Sequence, residues 1–265
     1  MLLLRLWPAA LAVHDSLIAP RATSYSLENY RYLFSDPLFV KSTWITIVYC
    51  LIVNPLQIAA ALALALLVNA RLPLVGLWRT LIFVPVAVPQ SVSAVVWGVA
   101  YRPDGPLNAM LGAVGLAPQP FLTSPDQALA SIILVVSWIG VGYWMTFLLA
   151  GLQDIPKTLY EAARIDGANA WQLFVHITLP QLRRPLTFVL VANTVANFLV
   201  FAPVKILTQG GPRGSTNLIM NEIYTRAFSS GDPSSASAAT VILVATLLLI
   251  VVIQFRLMRP SNEGD

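Results

Sequence analysis

Asn193 and Asn197 are the side chains best suited to contact a polar solute within an otherwise apolar part of this sequence. They lie four positions apart in residues 185–204, a stretch with no Asp, Glu, Lys or Arg, so a helix places them on one face. Each carboxamide offers donors and an acceptor to hydroxyl groups. Amides in apolar helices also hydrogen-bond between helices. The pair therefore indicates either a solute pathway or an interhelix contact.

Tyr143 offers a second kind of contact, because an aromatic face can stack on the CH groups of a sugar ring. It follows Gly140 and Gly142 closely in another charge-free stretch. Two glycines at this spacing also permit close approach of neighbouring helices. The sequence leaves both interpretations of this segment open.

Catalytic and metal-binding chemistry has few candidate residues. The two histidines, His14 and His176, have no second histidine or cysteine beside them, and the single cysteine, Cys50, lies in an apolar segment. The sequence contains no Gly-x-x-x-x-Gly-Lys-Ser/Thr, the motif of a nucleotide-binding P-loop. We expect a protein that is not an enzyme and holds no metal or cofactor, so that any dependence on ATP comes from a partner.

The composition predicts a membrane protein. Apolar residues make up 57% of the 265 residues and charged residues only 11%, against roughly 25% in a typical soluble domain. Five stretches without Asp, Glu, Lys or Arg are predicted to cross a hydrocarbon core of about 30 Å as helices: residues 42–70, 80–101, 127–153, 185–204 and 233–255. A sixth charge-free stretch, residues 105–125, is interrupted by glycines and prolines and is interpreted as an extramembrane loop. The predicted fold class is an all-α polytopic membrane helix bundle. The absence of carboxylates from these stretches argues against a proton-driven transporter.

The basic residues indicate topology rather than nucleic-acid binding. The formal net charge is +4, but the 16 Lys and Arg are scattered singly and form no patch that could follow phosphates. Cationic loops are retained on the cytoplasmic side. This rule predicts that residues 152–184 and the end of the chain are cytoplasmic, and that residues 20–42, 102–126 and about 209–234 are external.

The most informative extramembrane stretch is residues 155–183. Leu159, Ala162 and Ala163 recur at helical spacing, Asp166-Gly167 is a turn signal, and an apolar stripe resumes at Trp171. The pattern predicts two short amphipathic helices joined by a glycine hinge. From the spacing alone, the pair could lie on the membrane surface or bind a partner.

The same stretch resembles the EAA loop of binding-protein-dependent ABC importer permeases, and residues 155–183 are called the EAA loop below. The matching residues are Glu161, Ala162, Ala163, Asp166, Gly167 and Ala168, followed by Phe174, Ile177, Leu179 and Pro180. The resemblance implies that these first six residues form the coupling helix, which docks in a cleft of an ATPase subunit.

A second stretch supports the same family. The sequence LTQGGPRGSTNLIMNEIYTRAF, residues 207–228, is similar to the LTxGGPxxST and IYxxAF segment of carbohydrate-type importer permeases. We call it the GGP segment. The resemblance covers roughly residues 25–258 and implies a type I importer permease related to the maltose and glycerol-3-phosphate importers.

The resemblance also implies partners and a substrate pathway. The partners are a second, non-identical permease, two ATPase subunits that bind ATP and Mg, an external sugar-binding protein and the lipid bilayer, with no nucleic acid. The pathway residues are Gly140, Tyr143, Asn193, Asn197 and Val200, which match the sugar site of maltose-type permeases. Val200 matches a position that is polar in that permease. The alternatives are an ABC permease for an amino acid or a polyamine, and a non-transporting membrane scaffold.

The expected organisation places a multi-pass protein in the bacterial inner membrane with a cytoplasmic C-terminus. Residues 1–20 are interpreted as a partial first transmembrane helix, the sixth span beside five full ones, whose beginning precedes this sequence. A signal peptide is the competing interpretation, but the basic n-region is missing. Residues 21–258 form the transmembrane domain, and residues 259–265 a cytoplasmic tail.

Overall fold

The computed structural model describes residues 2–18, 25–70 and 73–258, in which helices joined by loops are the regular structure. These ranges contain no strand beyond an isolated antiparallel bridge between Ile18 and Tyr25. The α-helices are α1 (Leu2–Ser16), α2 (Glu28–Ser35), α3 (Pro37–Asn69), α4 (Val75–Ala87), α5 (Gln90–Ala100), α6 (Pro106–Ala113), α7 (Ala128–Gln153), α8 (Lys157–Ile165), α9 (Ala170–Leu173), α10 (Leu179–Gln181), α11 (Arg183–Phe198), α12 (Ala202–Leu207), α13 (Ile219–Tyr224) and α14 (Pro233–Met258). The predicted all-α class is confirmed.

Four helical stretches of the described chain are long and apolar enough to cross a membrane. They are α3 with 33 residues, α7 with 26, the consecutive α11 and α12 with 25, and α14 with 26. A rise of about 1.5 Å per residue gives each a length of at least about 37 Å, which exceeds the hydrocarbon thickness of about 30 Å. These four stretches coincide with four of the five charge-free segments.

The remaining segment, residues 80–101, differs from the single spanning helix that the sequence predicts. Its two helices, α4 and α5, meet at an angle of 97°, as in a broken span or a re-entrant loop. The break falls at Val88, which is extended at φ −90° and ψ 127°, immediately before Pro89. Proline disfavours the helical conformation in the residue before it and lacks the N–H that would continue the helix. Length and composition therefore give four spans, or five if this pair is one.

The long helices pack around a common interior in which α3 and α7 make the most extensive contact. Ala61 and Ala65 of α3 are fully buried in a cluster with Leu148 of α7 and Leu182 at the start of α11. Small side chains let helix backbones approach closely where no hydrophobic effect drives association. Only 28% of the most apolar window of α14 is buried, so most of that helix offers its apolar surface to lipid or to a partner.

The N-terminal helix α1 packs against α14 and has 15 residues, fewer than the roughly 20 that a full span requires. The buried Asn29 of α2 holds the C-terminal end of α1, since the Asn29 side-chain amide donates to the carbonyl oxygens of Ser16 at 2.9 Å and Ile18 at 2.8 Å. The assignment of residues 1–20 to a partial span stays a prediction. The predicted tail, residues 259–265, lies outside the described residues.

Candidate functional site

The EAA loop has the two-helix form that its sequence predicts. Helix α8 ends at Ile165, the chain turns at Gly167, and α9 continues as a π-helical turn over Phe174–Thr178. The loop joins the C-terminus of α7 to the N-terminus of α11. A displacement of the loop therefore acts directly on the ends of two spans.

Gly167 makes the sharp turn through its backbone conformation. Its φ of +83° is in the left-handed region, which costs other residues roughly 1–2 kcal/mol. The Gly167 N–H donates to the Arg164 carbonyl at 3.1 Å, and the Ala168 N–H donates to the Ala163 carbonyl at 2.9 Å. These two bonds form the Schellman arrangement that ends a helix. No atom lies within 4 Å of where a Cβ would stand, so glycine is needed for conformation and not for space.

Side-chain hydrogen bonds fix the rest of the loop, and sequence reasoning missed them. The Asn169 side chain accepts from the Gln172 N–H at 2.9 Å, and the Gln172 side chain accepts from the Asn169 N–H at 2.8 Å. This is a capping box, whose Asn-x-x-Gln signature is visible in the sequence. The hydroxyls of Tyr160 and Thr178 also hydrogen-bond at 3.0 Å, which ties α8 to the far side of the turn.

The predicted coupling residues lie on the outside of this ordered loop. Four of the six are exposed, namely Glu161, Ala162, Asp166 and Gly167, and two are half-buried, namely Ala163 and Ala168. Ile165 is 86% exposed and Trp171 71% exposed, which is unusual for large apolar side chains on a rigid element. Within the described part of the chain, Glu161 forms no ion pair. The loop presents a carboxylate beside an apolar surface, as an interface does.

A second candidate site is a cavity of about 770 Å³ among α3, α5, α7 and α11. We call it the central cavity. All five residues that the resemblance assigns to a pathway line it: Gly140, Tyr143, Asn193, Asn197 and Val200. Gln57, Gln90 and Trp144 also contribute to the wall. Residues from helices far apart in the sequence thus meet around one space.

Asn197 is the hub of a hydrogen-bond network between α11 and α3. Its Nδ2 lies 2.8 Å from Asn54 Oδ1, 3.0 Å from Gln57 Oε1 and 2.8 Å from Asn193 Oδ1, while its Oδ1 accepts from the Tyr49 hydroxyl at 3.2 Å. The side chain is 3% exposed. The interhelix contact that the sequence left open is therefore observed at Asn197.

Asn193 differs from Asn197 in its bonding capacity. Its Oδ1 accepts from Asn197, but its Nδ2 is buried and has no hydrogen-bond partner in the described residues. An unpaired buried donor costs about 1–3 kcal/mol. The Asn193 amide thus keeps one donor without a protein partner in a residue that lines the central cavity, whereas the Asn197 amide nitrogen is hydrogen-bonded to other side chains of the protein.

The glycines and the aromatic residues of α7 shape the same wall. A Cβ at Gly140 would stand 3.2 Å from Gln57 Nε2, and one at Gly142 would overlap the Ile82 carbonyl oxygen of α4. Gly140 therefore leaves room for the Gln57 amide, and Gly142 allows α4 to approach α7. Tyr143 is 43% exposed and meets the neighbouring Trp144 edge-on, with ring centroids 4.8 Å apart.

Sequence reasoning did not identify Asn54, Gln57 and Gln90 as candidate site residues. The first two lie three positions apart in α3, and each is an uncharged amide in a charge-free apolar stretch. The rule that selected Asn193 and Asn197 would also have selected this pair. Gln90 carries no comparable signal, because its place at the cavity depends on the break before α5.

A buried ionic cluster holds the GGP segment at the opposite end of α11 from the EAA loop. Arg226 pairs with Asp36 and, at 2.8 Å, with Glu222, and all three side chains are largely buried. Burial lowers the pKa of Arg226, but its hydrogen bonds and charge interactions with Asp36 and Glu222 outweigh this and leave the pKa above its usual value. The cluster ties this segment to the start of α3, and no motif in the sequence predicts it.

The chain is similar to known transport proteins. Residues 55–263 match the family described as "Binding-protein-dependent transport system inner membrane component". The sn-glycerol-3-phosphate transport system permease protein UgpA of Pectobacterium atrosepticum is 34% identical over 260 residues, which are 96% of this chain and 88% of that protein. The trehalose/maltose transport system permease protein MalF of Thermococcus litoralis is 35% identical over 206 residues, which are 77% of this chain and 70% of that protein.

A solved structure shows the same fold. One chain of a bacterial alginate ABC transporter, in complex with an alginate pentasaccharide-bound periplasmic protein, aligns with a TM-score of 0.85 and 23% identity, covering 96% of this chain and 88% of that one. The family match includes the EAA loop, every residue named above as lining the central cavity, and the GGP segment. This chain belongs to the family of binding-protein-dependent transport system inner membrane components.

Proposed function

We propose that this chain is the permease subunit of an ATP-driven sugar importer, that it forms part of the substrate pathway, and that it couples to ATPase subunits. The observation that carries the proposal is the meeting of Gly140, Tyr143, Asn193, Asn197 and Val200 at one cavity. The names of the relatives UgpA and MalF, which refer to sn-glycerol-3-phosphate and trehalose/maltose, support a carbohydrate-type solute.

The central cavity acts as a transient binding site in this proposal. Asn193 Nδ2 donates to a solute oxygen, and the faces of Tyr143 and Trp144 cover the apolar CH surface of the sugar. A solute hydroxyl that loses its hydrating water in the cavity and finds no new partner costs about 1–3 kcal/mol. A hydrogen bond from an amide of the wall removes this cost and so allows the solute to enter. Asn197 and Gln57 hold the wall in place through the network between α3 and α11.

The EAA loop couples this site to ATP hydrolysis. Its exposed Glu161 pairs with a basic group of an ATPase subunit, and Ile165 and Trp171 enter an apolar cleft of that subunit. The turn at Gly167 and the capping box keep the loop stiff, so movement of the ATPase is passed to α7 and α11. Both helices line the central cavity, which therefore changes shape as the loop moves.

The proposed assembly contains this chain, a second non-identical permease, two ATPase subunits and an external sugar-binding protein. ATP and Mg are bound by the ATPase subunits, and this chain holds no cofactor. The chain is a multi-pass protein of the bacterial inner membrane with five full spans, α4 and α5 together forming one of them. Helix α1 contributes a sixth, partial span, and the C-terminus is cytoplasmic.

Reconstitution of the complete importer in proteoliposomes tests the proposal. We expect the ATPase to copurify with this chain, and maltose or lactose to be taken up only with ATP and the binding protein. Uptake confined to an amino acid or to spermidine would favour a permease for another solute. A chain that binds no ATPase and moves no solute would instead be a membrane scaffold.

A further inference from the structure

We infer that the central cavity is selective for uncharged polyhydroxy solutes and rejects sugars that carry a phosphate, sulfonate or carboxylate group. This inference rests on the proposed transport function and narrows its substrate class. The family relatives do not decide the point, because the name of UgpA refers to a phosphate ester and that of MalF to neutral disaccharides. The inference of a neutral substrate rests instead on the composition of the cavity wall in this chain.

No Asp, Glu, Lys, Arg or His is among the described residues that line the central cavity. The polar residues of the wall are four amides and one phenol: Gln57, Gln90, Asn193, Asn197 and Tyr143. An anion that enters this space loses hydration and meets no ammonium or guanidinium group in return. Phosphate and carboxylate recognition in proteins relies on such cations or on several converging donors.

Two cations at the GGP end of the bundle, Arg226 and Lys205, are already engaged. Arg226 is paired with Asp36 and Glu222. The Lys205 ammonium lies over the Tyr224 ring, 4.9 Å from its centroid, and Lys205 is not part of the cavity wall. These groups hold the GGP segment and leave the cavity without a compensating charge from this chain.

The donors of the wall are few and neutral. Asn197 Nδ2 is engaged with three side-chain oxygens, and Gln57 Nε2 lies 3.4 Å from Ser137 Oγ. Asn193 Nδ2, the Gln90 amide and the Tyr143 hydroxyl make no hydrogen bond within the described residues, and Asn193 is 1% exposed. Two neutral amides and one phenol are enough for hydroxyl or ring oxygens but not for a fully charged group.

The remaining wall suits the CH surface of a neutral sugar. Tyr143 and Trp144 provide aromatic faces, and Val136, Ile139 and Val200 are aliphatic. A volume of about 770 Å³ is within the range of small-molecule sites.

Saturation-transfer NMR on the purified permease and ATPase complex, without binding protein, tests the inference at the cavity itself. The probes are trehalose and lactose as neutral sugars, glucuronate and glycerol 3-phosphate as anions, and glycine and putrescine as other solutes. We expect the neutral sugars to bind at least about tenfold more tightly than the anions, because a buried unpaired charge is far costlier than a hydroxyl.

A pair of arginine variants sharpens the test. Ala196 is exposed on α11 and lines the cavity, while Leu199 is exposed at the end of the same helix but is not part of the wall. We expect Ala196→Arg to strengthen glucuronate binding by about tenfold and Leu199→Arg to leave it unchanged, because only the first places a cation beside the solute. Copurification with the ATPase checks that both variants assemble.

The outcomes separate the inference from the function on which it rests. Anions that bind the natural chain as tightly as trehalose and lactose would overturn the charge selectivity but leave the sugar pathway intact. Binding of glycine or putrescine without any sugar would overturn the proposed function as well. Equal gains of glucuronate binding in both arginine variants would show that the added charge does not act through the cavity. If no probe binds at all, the proposal that the cavity is a solute site is wrong.

Discussion

The EAA loop and the central cavity are built in opposite ways. The loop is exposed, and its shape comes from bonds between residues close in sequence, such as the Gly167 turn and the capping box of Asn169 and Gln172. The amides Gln57, Asn193 and Asn197 of the cavity wall are buried, and the central hydrogen bonds join Asn197 to Gln57 and Asn54, 140 and 143 positions away. A motif can therefore encode the loop, while the cavity exists only when distant helices have assembled.

The first and largest expected effect tests this contrast within the cavity. Asn197→Leu removes four polar contacts at once and leaves the Asn54, Gln57 and Tyr49 groups without their partner. We expect it to lower the free energy of unfolding by about 2 kcal/mol or more, because each buried polar group left unpaired costs about 1–3 kcal/mol. Thermal unfolding of the detergent-purified complex measures the loss.

Asn193→Leu is the matched comparison for Asn197→Leu. It removes a single acceptor and the unpaired donor. We expect near-normal unfolding but sugar uptake reduced about tenfold, equivalent to about 1.4 kcal/mol. If both variants destabilise the protein equally, the asparagines have the same structural role and the distinction between them is wrong.

The second prediction concerns the conformation of the EAA loop. Gly167→Ala forces a side chain into the left-handed region, at about 1–2 kcal/mol, although space for it is available. We expect a loss of sugar-stimulated ATP hydrolysis while the spans assemble normally. Measurement of ATPase activity with and without substrate-loaded binding protein reports the coupling.

Gly115 provides the control for that substitution. It also ends a helix in the left-handed region, with a φ of +78° and no atom within 4 Å of the position that a Cβ would take, but it follows α6. Gly115→Ala therefore has the same backbone cost and should leave coupling unchanged. Equal loss in the two variants would mean that general destabilisation, and not the loop, explains the effect.

The third prediction separates a docking surface from a membrane-surface helix. Glu161→Lys reverses the exposed carboxylate of the EAA loop, and we expect about tenfold weaker association with the ATPase, since charge mismatch at an interface typically costs a kcal/mol or more. Asp126→Lys makes the same change at an exposed carboxylate just before α7 and should have no effect. Unchanged association of Glu161→Lys with the ATPase would contradict the docking role and support the membrane-surface interpretation instead.

The smallest expected effect is at the aromatic wall. Tyr143→Ala removes an aromatic face worth about 0.5–1.5 kcal/mol, so sugar binding should weaken by roughly three- to tenfold. Tyr143→Phe keeps that face and should bind nearly as tightly, because the contact proposed for Tyr143 is stacking of its ring on the sugar and not a hydrogen bond. NMR titration with trehalose compares the two, and equal losses would indicate that the hydroxyl is the important group.

Much of the helical framework and of the EAA loop could be predicted from the sequence alone. Long charge-free apolar stretches that glycine and proline do not repeatedly interrupt have few alternatives to a spanning helix, since a backbone in lipid must satisfy its own hydrogen bonds. The turn at Gly167 was predictable for a similar reason, because only glycine adopts a left-handed φ readily. Such features depend on the residue itself or on neighbours within one turn.

The tertiary structure decided what depends on residues far apart in the chain. Pro89 marks in the sequence where the second apolar segment can break, but only the structure gives the 97° angle between its two helices and places Gln90 at the cavity, and it also pairs Arg226 with Asp36. It also divided the roles of Asn193 and Asn197, which the sequence presents as equivalent. The physical reason is that an amide's chemistry depends on which partners reach it, and for Asn197 those partners arrive from a helix 140 residues earlier.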